Sequence, residues 1–575
     1  MASGLTGKLL HVDLTTRQTR VEEIPETVLR QHLGGGALAC WLLLRDMPPG
    51  VDPLGPDNLL VFMTSVINGL SLSGTNRYTA AAKSPLTGGY GEAEAGGWWG
   101  PELRSAGYDG IAVRGRADAP VYLWIKDGQV EFRDARAYWG KLSGEVQEGL
   151  EQELGDKRIR VLQTGVSGER GVRFAAIVNQ LKHFHGRSGL GAVMGAKRLK
   201  AIVVRGTKPP IPLDRDGARG ALTWFREHYD RSKDRFHQTG TAGAVPVLEA
   251  SGILPTRNFR DGSFERFRDI SGQKMAETIL VNRGTCYACM VACKREVAVP
   301  DLGVTPKYGG PEYESLASLG PNLEVDDIVA VCKSNEMCNY LGMDTISAGT
   351  TLAWAMECYE KGLITDADTG GVPLRFRDPD GVVSWLERLA YRQGFGDVLA
   401  EGSQRAAERV GRGSERFLTT VKGMEMAMHD PRHMPRMRQS YMLAPTGADH
   451  MGQQGPKNGL RNQVGLCHFL GYDDAQVLQI LRATTGWDLT PEEMTTTAHR
   501  ALTLARLFNL REGFSRADDR LPARFGEDLP KHSGVSREAQ DQVVSDYYAE
   551  LGWNAETGRP TAATIERLEI GEYVR

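Results

Sequence analysis

The 575-residue sequence has no apolar run of the ~20 residues that a membrane-spanning helix takes, and its longest candidate, around residues 59–66, is only strand length. Residues 1–14 show no apolar core, cleavage site or twin arginine, so no export signal is expected and the chain reads as cytoplasmic and independent of membranes. It has no excess of either charge. Lys and Arg number 69 against 72 Asp and Glu, a net charge of −3 that leaves no global pull toward nucleic acid. Tandem repeats of short period and low-complexity segments are missing, and the composition excludes intrinsic disorder, collagen and coiled coil. Cysteine is scarce. Eight unevenly placed residues cannot make a disulfide scaffold. Neither G-x-G-x-x-G nor a P-loop occurs, which argues against a dinucleotide or a nucleoside triphosphate.

Glycine is in excess, at 68 residues against a usual ~7%. Residues 5–206 read as short strands punctuated by glycine, at 8–14, 59–63, 110–113, 121–125, 159–164 and 201–204, with helices at 28–44 and 144–154. A Pro/Gly/Asp-rich stretch at 206–217 reads as a linker. Helical periodicities follow at 218–230, 324–341, 350–361, 382–393, 398–410 and 490–509, with a weaker break at 411–422. The expectation is an α+β protein of three domains: a β-rich domain at 1–210 and mostly helical domains at 211–420 and 421–575.

Three features carry chemistry. Cys286, Cys289 and Cys293 form a C-x2-C-x3-C array, which can hold three irons of a [4Fe–4S] cube if a fourth thiolate arrives from elsewhere. A zinc site or unrelated buried thiols are the other readings, although zinc favours paired C-x2-C or added histidines. Cys467, two residues after Gly465, stands out among the remaining cysteines. Three glycine-rich loops (33–37, 73–100 with Arg77 and Lys83, and 186–197) combine close backbone approach with basic residues and helix starts, which suits a phosphate-bearing cofactor. Tight turns in a β-rich domain are the plainer account of such loops. Finally, Asn339-x-x-Gly342-Met-Asp344 recurs 123 positions on as Asn462-x-x-Gly465-Leu466-Cys467.

Taken in order, KSPLTG at 83–88, GAVMG at 191–195, CYAC at 286–289, GPEYE at 310–314, LGMDTIS at 341–347 and GLC at 465–467 make the chain resemble the aldehyde ferredoxin oxidoreductases nearly end to end. The resemblance implies two β-sheets that cradle a tungsten (or molybdenum) bis-pyranopterin, followed by two helical domains around a channel. It implies a [4Fe–4S] cluster on Cys286, Cys289, Cys293 and Cys467, with Arg77 between pterin and cluster. The paired motif (Asn339, Gly342, Asp344; Asn462, Gly465, Leu466) would contact the two pterins. The glycine loops would add Lys83, Gly96, His185, Gly186, Arg187 and Gly189, and a magnesium ion would bridge pterin phosphates near Glu94 and His185. Glu314 and His450 match the acid/base pair. A histidine can hydrogen-bond the aldehyde carbonyl, and a glutamate of raised pKa can take the proton.

The chain departs from the family pattern in several places. Both paired motifs start with asparagine in place of the usual aspartate, which adds donors and removes charge. Glu94 replaces an asparagine. Lys333-Ser-Asn-Glu336 stands where some members carry an E-x-x-H that bridges a dimer through a metal, so no such metal is expected. The segment from His450 to Cys467 is short, which would open or reshape the channel. Residues 423–451 hold seven of the 17 methionines together with Arg432, Arg436, Arg438, His429 and His433, and read either as a channel lining that favours a negatively charged substrate or as a helical core with a basic face. The expected activity is aldehyde oxidation, with electrons passing to ferredoxin or a dedicated iron–sulfur subunit and assembly as a homodimer or hetero-oligomer. The alternatives are the active-site subunit of an aromatic acyl-CoA reductase and an iron–sulfur electron-transfer subunit without pterin.

Overall fold

The computed structural model describes residues 5–451 and 456–573. Its first six strands are β1 (Lys8–Asp13), β2 (Gln18–Glu23), β3 (Leu60–Met63), β4 (Tyr78–Lys83), β5 (Tyr90–Ala95) and β6 (Gly110–Arg114). They form one sheet in the order β2-β1-β6-β3-β4-β5. The next six are β7 (Val121–Lys126), β8 (Gln129–Asp134), β9 (Arg160–Thr164), β10 (Ile177–Asn179), β11 (His183–His185) and β12 (Leu199–Arg205). They form a second sheet in the order β11-β10-β9-β12-β7-β8. Leu10, Phe62 and Val113 of the first sheet share one buried cluster with Leu123, Leu162 and Val204 of the second. The alanine run of β4 follows from cover on both faces. Ala80 and Ala82 pack toward the second sheet, and Ala81 packs in the cluster that includes helix Gly35–Asp46.

Two expected helices are each split in two, for one physical reason. The 28–44 pattern becomes Glu26–His32 and Gly35–Asp46. At the break, Gly34 takes φ +118°, and a Cβ there would lie 2.5 Å from the Ser65 backbone. The 398–410 pattern becomes Gly396–Leu399 and Ser403–Val410, parted at Gly402 with φ +86°. Residues 206–214 run without helix or strand, as the linker reading expects.

Cores in space cross the boundaries drawn on the sequence. Ala221 and Phe225 of helix Arg215–His228 are buried in one cluster with Ile480 and Leu481 of helix Asp474–Thr485. Met424, Met426, Met428 and Met442 are fully buried with Trp354, Trp385 and Tyr548. These four methionines therefore line a packed core rather than an open channel. Arg432 is buried in a forked pair with Asp430 at 2.6 Å, and Arg438 donates to the Pro431 and Arg432 carbonyls. Of the three arginines in this segment only Arg436 is exposed.

Candidate active site

The cysteine array is the connection between strands Leu280–Gly284 and Lys294–Val297, which pair as a small ladder. Ala288 and Ala292, each one position before a cysteine, adopt left-handed φ of 54° and 52° and fold the loop back on itself. The first glycine-rich segment holds this loop in place. Tyr287 N–H donates to Gly97 O at 3.1 Å, Asn76 Nδ2 donates to Tyr287 O at 3.0 Å, and Met290 N–H donates to Ser73 Oγ at 3.1 Å. The same segment receives Cys467, whose N–H donates to Gly74 O at 3.0 Å. A Cβ on Gly96 would lie 2.9 Å from Cys286 Sγ, so this glycine makes room for the thiol.

All four thiols are free and half-buried, and the other four (Cys40, Cys332, Cys338, Cys358) are buried. Burial pushes the Cys286 and Cys293 thiols up and the Cys289 thiol up to about 12, and each feels Cys467 nearby. Backbone N–H groups of Gly97 and of Val291 and Ala292 oppose this at Cys286 and Cys289. Four mutually repelling thiolates, with amides already aimed at two of them, suit a cationic cluster that replaces their protons.

Beside the thiols lie two adjoining cavities. The larger, about 170 Å³, is lined by residues that include Arg77, Glu92, Glu94, Arg187, Asp449, His450 and Asn462. The smaller, about 80 Å³, is lined by residues that include Lys182, Lys294, Glu312, Asn339 and Asp344. Gly186 belongs to both walls, and a Cβ there would meet nothing within 4 Å. Each cavity thus takes one copy of the paired motif. Arg77 is half-buried between the Cys467 thiol and the Glu94 carboxylate, with Nη1 3.8 Å from Glu94 Oε2. Burial raises the Glu94 carboxyl to about 8. Glu92 and Asp449 add to the rise and Arg77 opposes it. Glu94 Oε1 has no hydrogen-bond partner. That unpartnered oxygen is one ligand position available to a hard divalent cation.

The paired motif is a helix end used twice. Asn339 lies in the last turn of helix Ile328–Leu341, which Gly342 closes at φ +76°, and Asp344 caps the next helix by accepting Ile346 N–H at 3.0 Å. Asn462 lies near the end of helix Pro456–Val464, followed by Gly465 at φ +64°, where a Cβ would strike Arg77 O at 2.4 Å. Leu466 is fully buried in the core, so only its backbone is available to a ligand.

Several expected contacts are made elsewhere. Lys83 is not in either cavity wall: its ammonium pairs with Glu512 Oε2 at 2.6 Å and ties β4 to the C-terminal helices. The His185 ring turns into the inter-sheet core, edge-on to Tyr78 at 4.6 Å, with Nδ1 2.8 Å from Ala93 O. Gly189 has φ +71°, and a Cβ would lie 2.0 Å from Arg173 O, so chain packing accounts for it. Arg187 does line the larger cavity while donating to Ala448 O at 2.7 Å, to Glu425 O and to Asp344 at 3.3 Å.

Glu314 sits in the first turn of helix Tyr313–Leu319. Its Oε2 accepts Met428 N–H at 2.7 Å, and its Oε1 lies 3.5 Å from His450 Nε2 and 3.0 Å from His429 Nε2. His450 lines the larger cavity, whereas Glu314 lines neither and stands behind it. The expected raised carboxyl is not found. Burial works upward, but both imidazoles and the Met428 amide outweigh it and hold Glu314 at about 2. Burial also lowers His450, which leaves a neutral imidazole at the cavity wall. The sequence placed His429 only within the 423–451 segment, read as a channel lining or a helical core, with no role beside Glu314. It stood among a run of methionines and arginines, and no spacing rule joins it to Glu314. The short segment after His450 falls in part on residues 452–455, outside the described residues.

A nest of four free thiols against a polar double cavity, with an imidazole–carboxylate group in the wall, defines a redox enzyme built around a large bound cofactor. More narrowly, the chain belongs to the aldehyde ferredoxin oxidoreductase family. The family's N-terminal domain matches residues 9–206, and its domains 2 and 3 match residues 220–570. The chain is 37% identical to the tungsten-containing aldehyde ferredoxin oxidoreductase of Pyrococcus furiosus and 36% identical to that of Thermococcus kodakarensis, over 99% of this chain and all of each relative. Its fold is also that of a solved active-site complex of benzoyl-coenzyme A reductase with 1,5-dienoyl-CoA. That match has a TM-score of 0.86 and 24% identity, and covers 100% of this chain and 98% of the other.

Proposed function

We propose that this chain oxidises aldehydes to carboxylic acids and passes the electrons through a [4Fe–4S] cluster on Cys286, Cys289, Cys293 and Cys467. The observation that carries the reading is the placement of Arg77, half-buried between Cys467 and a cavity whose wall includes His450. Asn462, Arg187 and Arg77 in the larger cavity, with Asn339 and Asp344 in the smaller, would hold the two halves of a bis-pyranopterin, and Glu94 would hold magnesium. When bound, the tungsten or molybdenum group supplies oxygen transfer and accepts the electron pair.

The chain's own side chains do the rest. His450 presents a neutral imidazole to the cavity and can take a proton from water or donate to a carbonyl. Glu314, ionised behind it, orients that ring and favours its protonated form. Arg77 keeps a fixed positive charge between cavity and thiols, which eases electron transfer toward the cluster.

Electrons would leave to ferredoxin or a dedicated iron–sulfur subunit. Eight free cysteines fit a reducing cytoplasm, and among the described residues no helix is long and apolar enough to cross a membrane. The test is a panel of aldehydes with a viologen acceptor, on protein from tungstate-supplemented growth with tungsten and iron measured. Failure of metal-replete protein to reduce viologen with any aldehyde of the panel would overturn the reading, and iron without tungsten or molybdenum would favour an electron-transfer subunit.

A further inference from the structure

We propose that His429 is a positioning residue for this reaction: acting through Glu314, it sets the orientation and the proton affinity of His450. The inference rests on the function proposed above. The reactive ligand atoms of Glu314, His429 and His450 all lie within 4.8 Å of one another. Both imidazoles address the same oxygen. His429 Nε2 is 3.0 Å from Glu314 Oε1, and His450 Nε2 is 3.5 Å from it. The shorter contact belongs to the ring that does not line the cavity.

His429 is held there firmly. The Met428 amide that donates to Glu314 Oε2 at 2.7 Å immediately precedes it, so one peptide segment bonds one carboxylate oxygen and sets the His429 ring 3.0 Å from the other. Tyr313 OH donates to Met428 O, and Tyr441 OH donates to Ala427 O at 3.0 Å. Those bonds brace the segment and leave neither phenol donating to the carboxylate. The His429 ring lies 5.1 Å from Tyr313 and 5.6 Å from the His450 ring, centroid to centroid.

Two imidazoles facing one carboxylate oxygen, which has no hydrogen-bond partner of its own, compete for its charge. His429, at the shorter distance, takes up negative charge that would otherwise stabilise a protonated His450. The other groups facing His450 are Asp449, whose Oδ1 is 3.9 Å from Nδ1, and the Arg187 guanidinium, while Tyr313 and Tyr441 face Glu314. Removing the His429 donor leaves Glu314 to His450 alone, and His450 then binds a proton more tightly. The directions agree with burial as the main cause lowering His450, with Glu314 opposing and His429 reinforcing.

The test uses His429→Phe, which keeps a ring on Tyr313 without nitrogens, His429→Gln, which restores an N–H donor, and both in a Glu314→Gln background. Two quantities are read on the loaded enzyme: the acid limb of kcat against pH, and the pH dependence of His450 acylation by a histidine-selective reagent, followed by peptide mass spectrometry. His429→Phe should move both upward by roughly 0.5–1 pH unit, His429→Gln should bring them back, and with Glu314→Gln the His429 change should have no further effect. Unmoved curves in His429→Phe, or an equal shift in the Glu314→Gln background, would overturn the proposal. A wild type that oxidises no aldehyde refutes the functional reading alone, because the acylation curve still reports the contact.

Discussion

Asn339 and Asn462 turn opposite ends of the same amide toward the protein. Asn339 Nδ2 donates to Tyr308 O at 2.8 Å, and Asn462 Oδ1 lies 2.6 Å from His468 Nε2. Burial, with Arg77, Arg461 and Arg436 nearby, lowers His468 to about 3, so its ring is neutral and can donate from Nε2. An aspartate at 462 could still accept that bond, whereas an aspartate at 339 would set a carboxylate against a carbonyl oxygen. Asn339→Asp should therefore destabilise the cofactor-free protein by about 1–3 kcal/mol, and Asn462→Asp should cost less than about 1 kcal/mol. Denaturant melts of the two variants check the asymmetry, and equal losses would refute it.

Gly186 separates folding from loading. Nothing lies within 4 Å of a Cβ placed there, so Gly186→Val should leave thermal stability within about 1 kcal/mol of wild type. It would nevertheless push a side chain into the wall shared by both cavities, and tungsten content should fall severalfold. A fully loaded Gly186→Val would remove the cofactor from this space.

Cys467→Ser tests the fourth thiol. It should lower bound iron from the about four atoms per chain of a cubane and slow viologen reduction at least tenfold. Cys338→Ser, in the buried helical core, should leave iron unchanged. Full iron in Cys467→Ser would place the fourth ligand elsewhere.

Glu94 gives a pH dependence with a definite sign. Its carboxyl rises from an ordinary value near 4.5 to about 8 in the folded, cofactor-free chain. The folded state then binds the proton more tightly than the unfolded one, so this group's contribution to stability is lost as pH rises from about 4.5 to 8, by up to about 1.4 kcal/mol per unit. Glu94→Gln should flatten that slope and raise the melting temperature at pH 8. Magnesium should raise the wild-type melting temperature at pH 8 and have little effect on Glu94→Gln. An unchanged slope in the variant would contradict the assignment.

Where local pattern carried the information, the sequence read well. The short strands of 8–14 and 110–113 and the helix at 490–509 appear within a few residues of their expected bounds, and residues 206–214 carry no helix or strand. The helix breaks at Gly34 and Gly402 were hidden because the local pattern continues through them, and it is close approach by Ser65 that requires the first. Of the glycines assigned to the cofactor, Gly189, Gly342 and Gly465 answer to turns and chain packing, and Gly96 to Cys286, while Gly186 opens onto space. That distinction depends on neighbours far away in the chain.

The cysteine spacing, the ordered motifs and the glycine excess were enough to name the family and the fold, because they are short-range patterns that survive without knowledge of contacts. The state of the site was not readable this way. That Glu314 is held low behind His450, that His429 faces its oxygen, that Lys83 is bound to Glu512 and that the Glu94 carboxyl is pushed up are results of burial and of charges brought together from distant segments. A side chain's proton affinity depends on what surrounds it in three dimensions, and only folding assembles that environment.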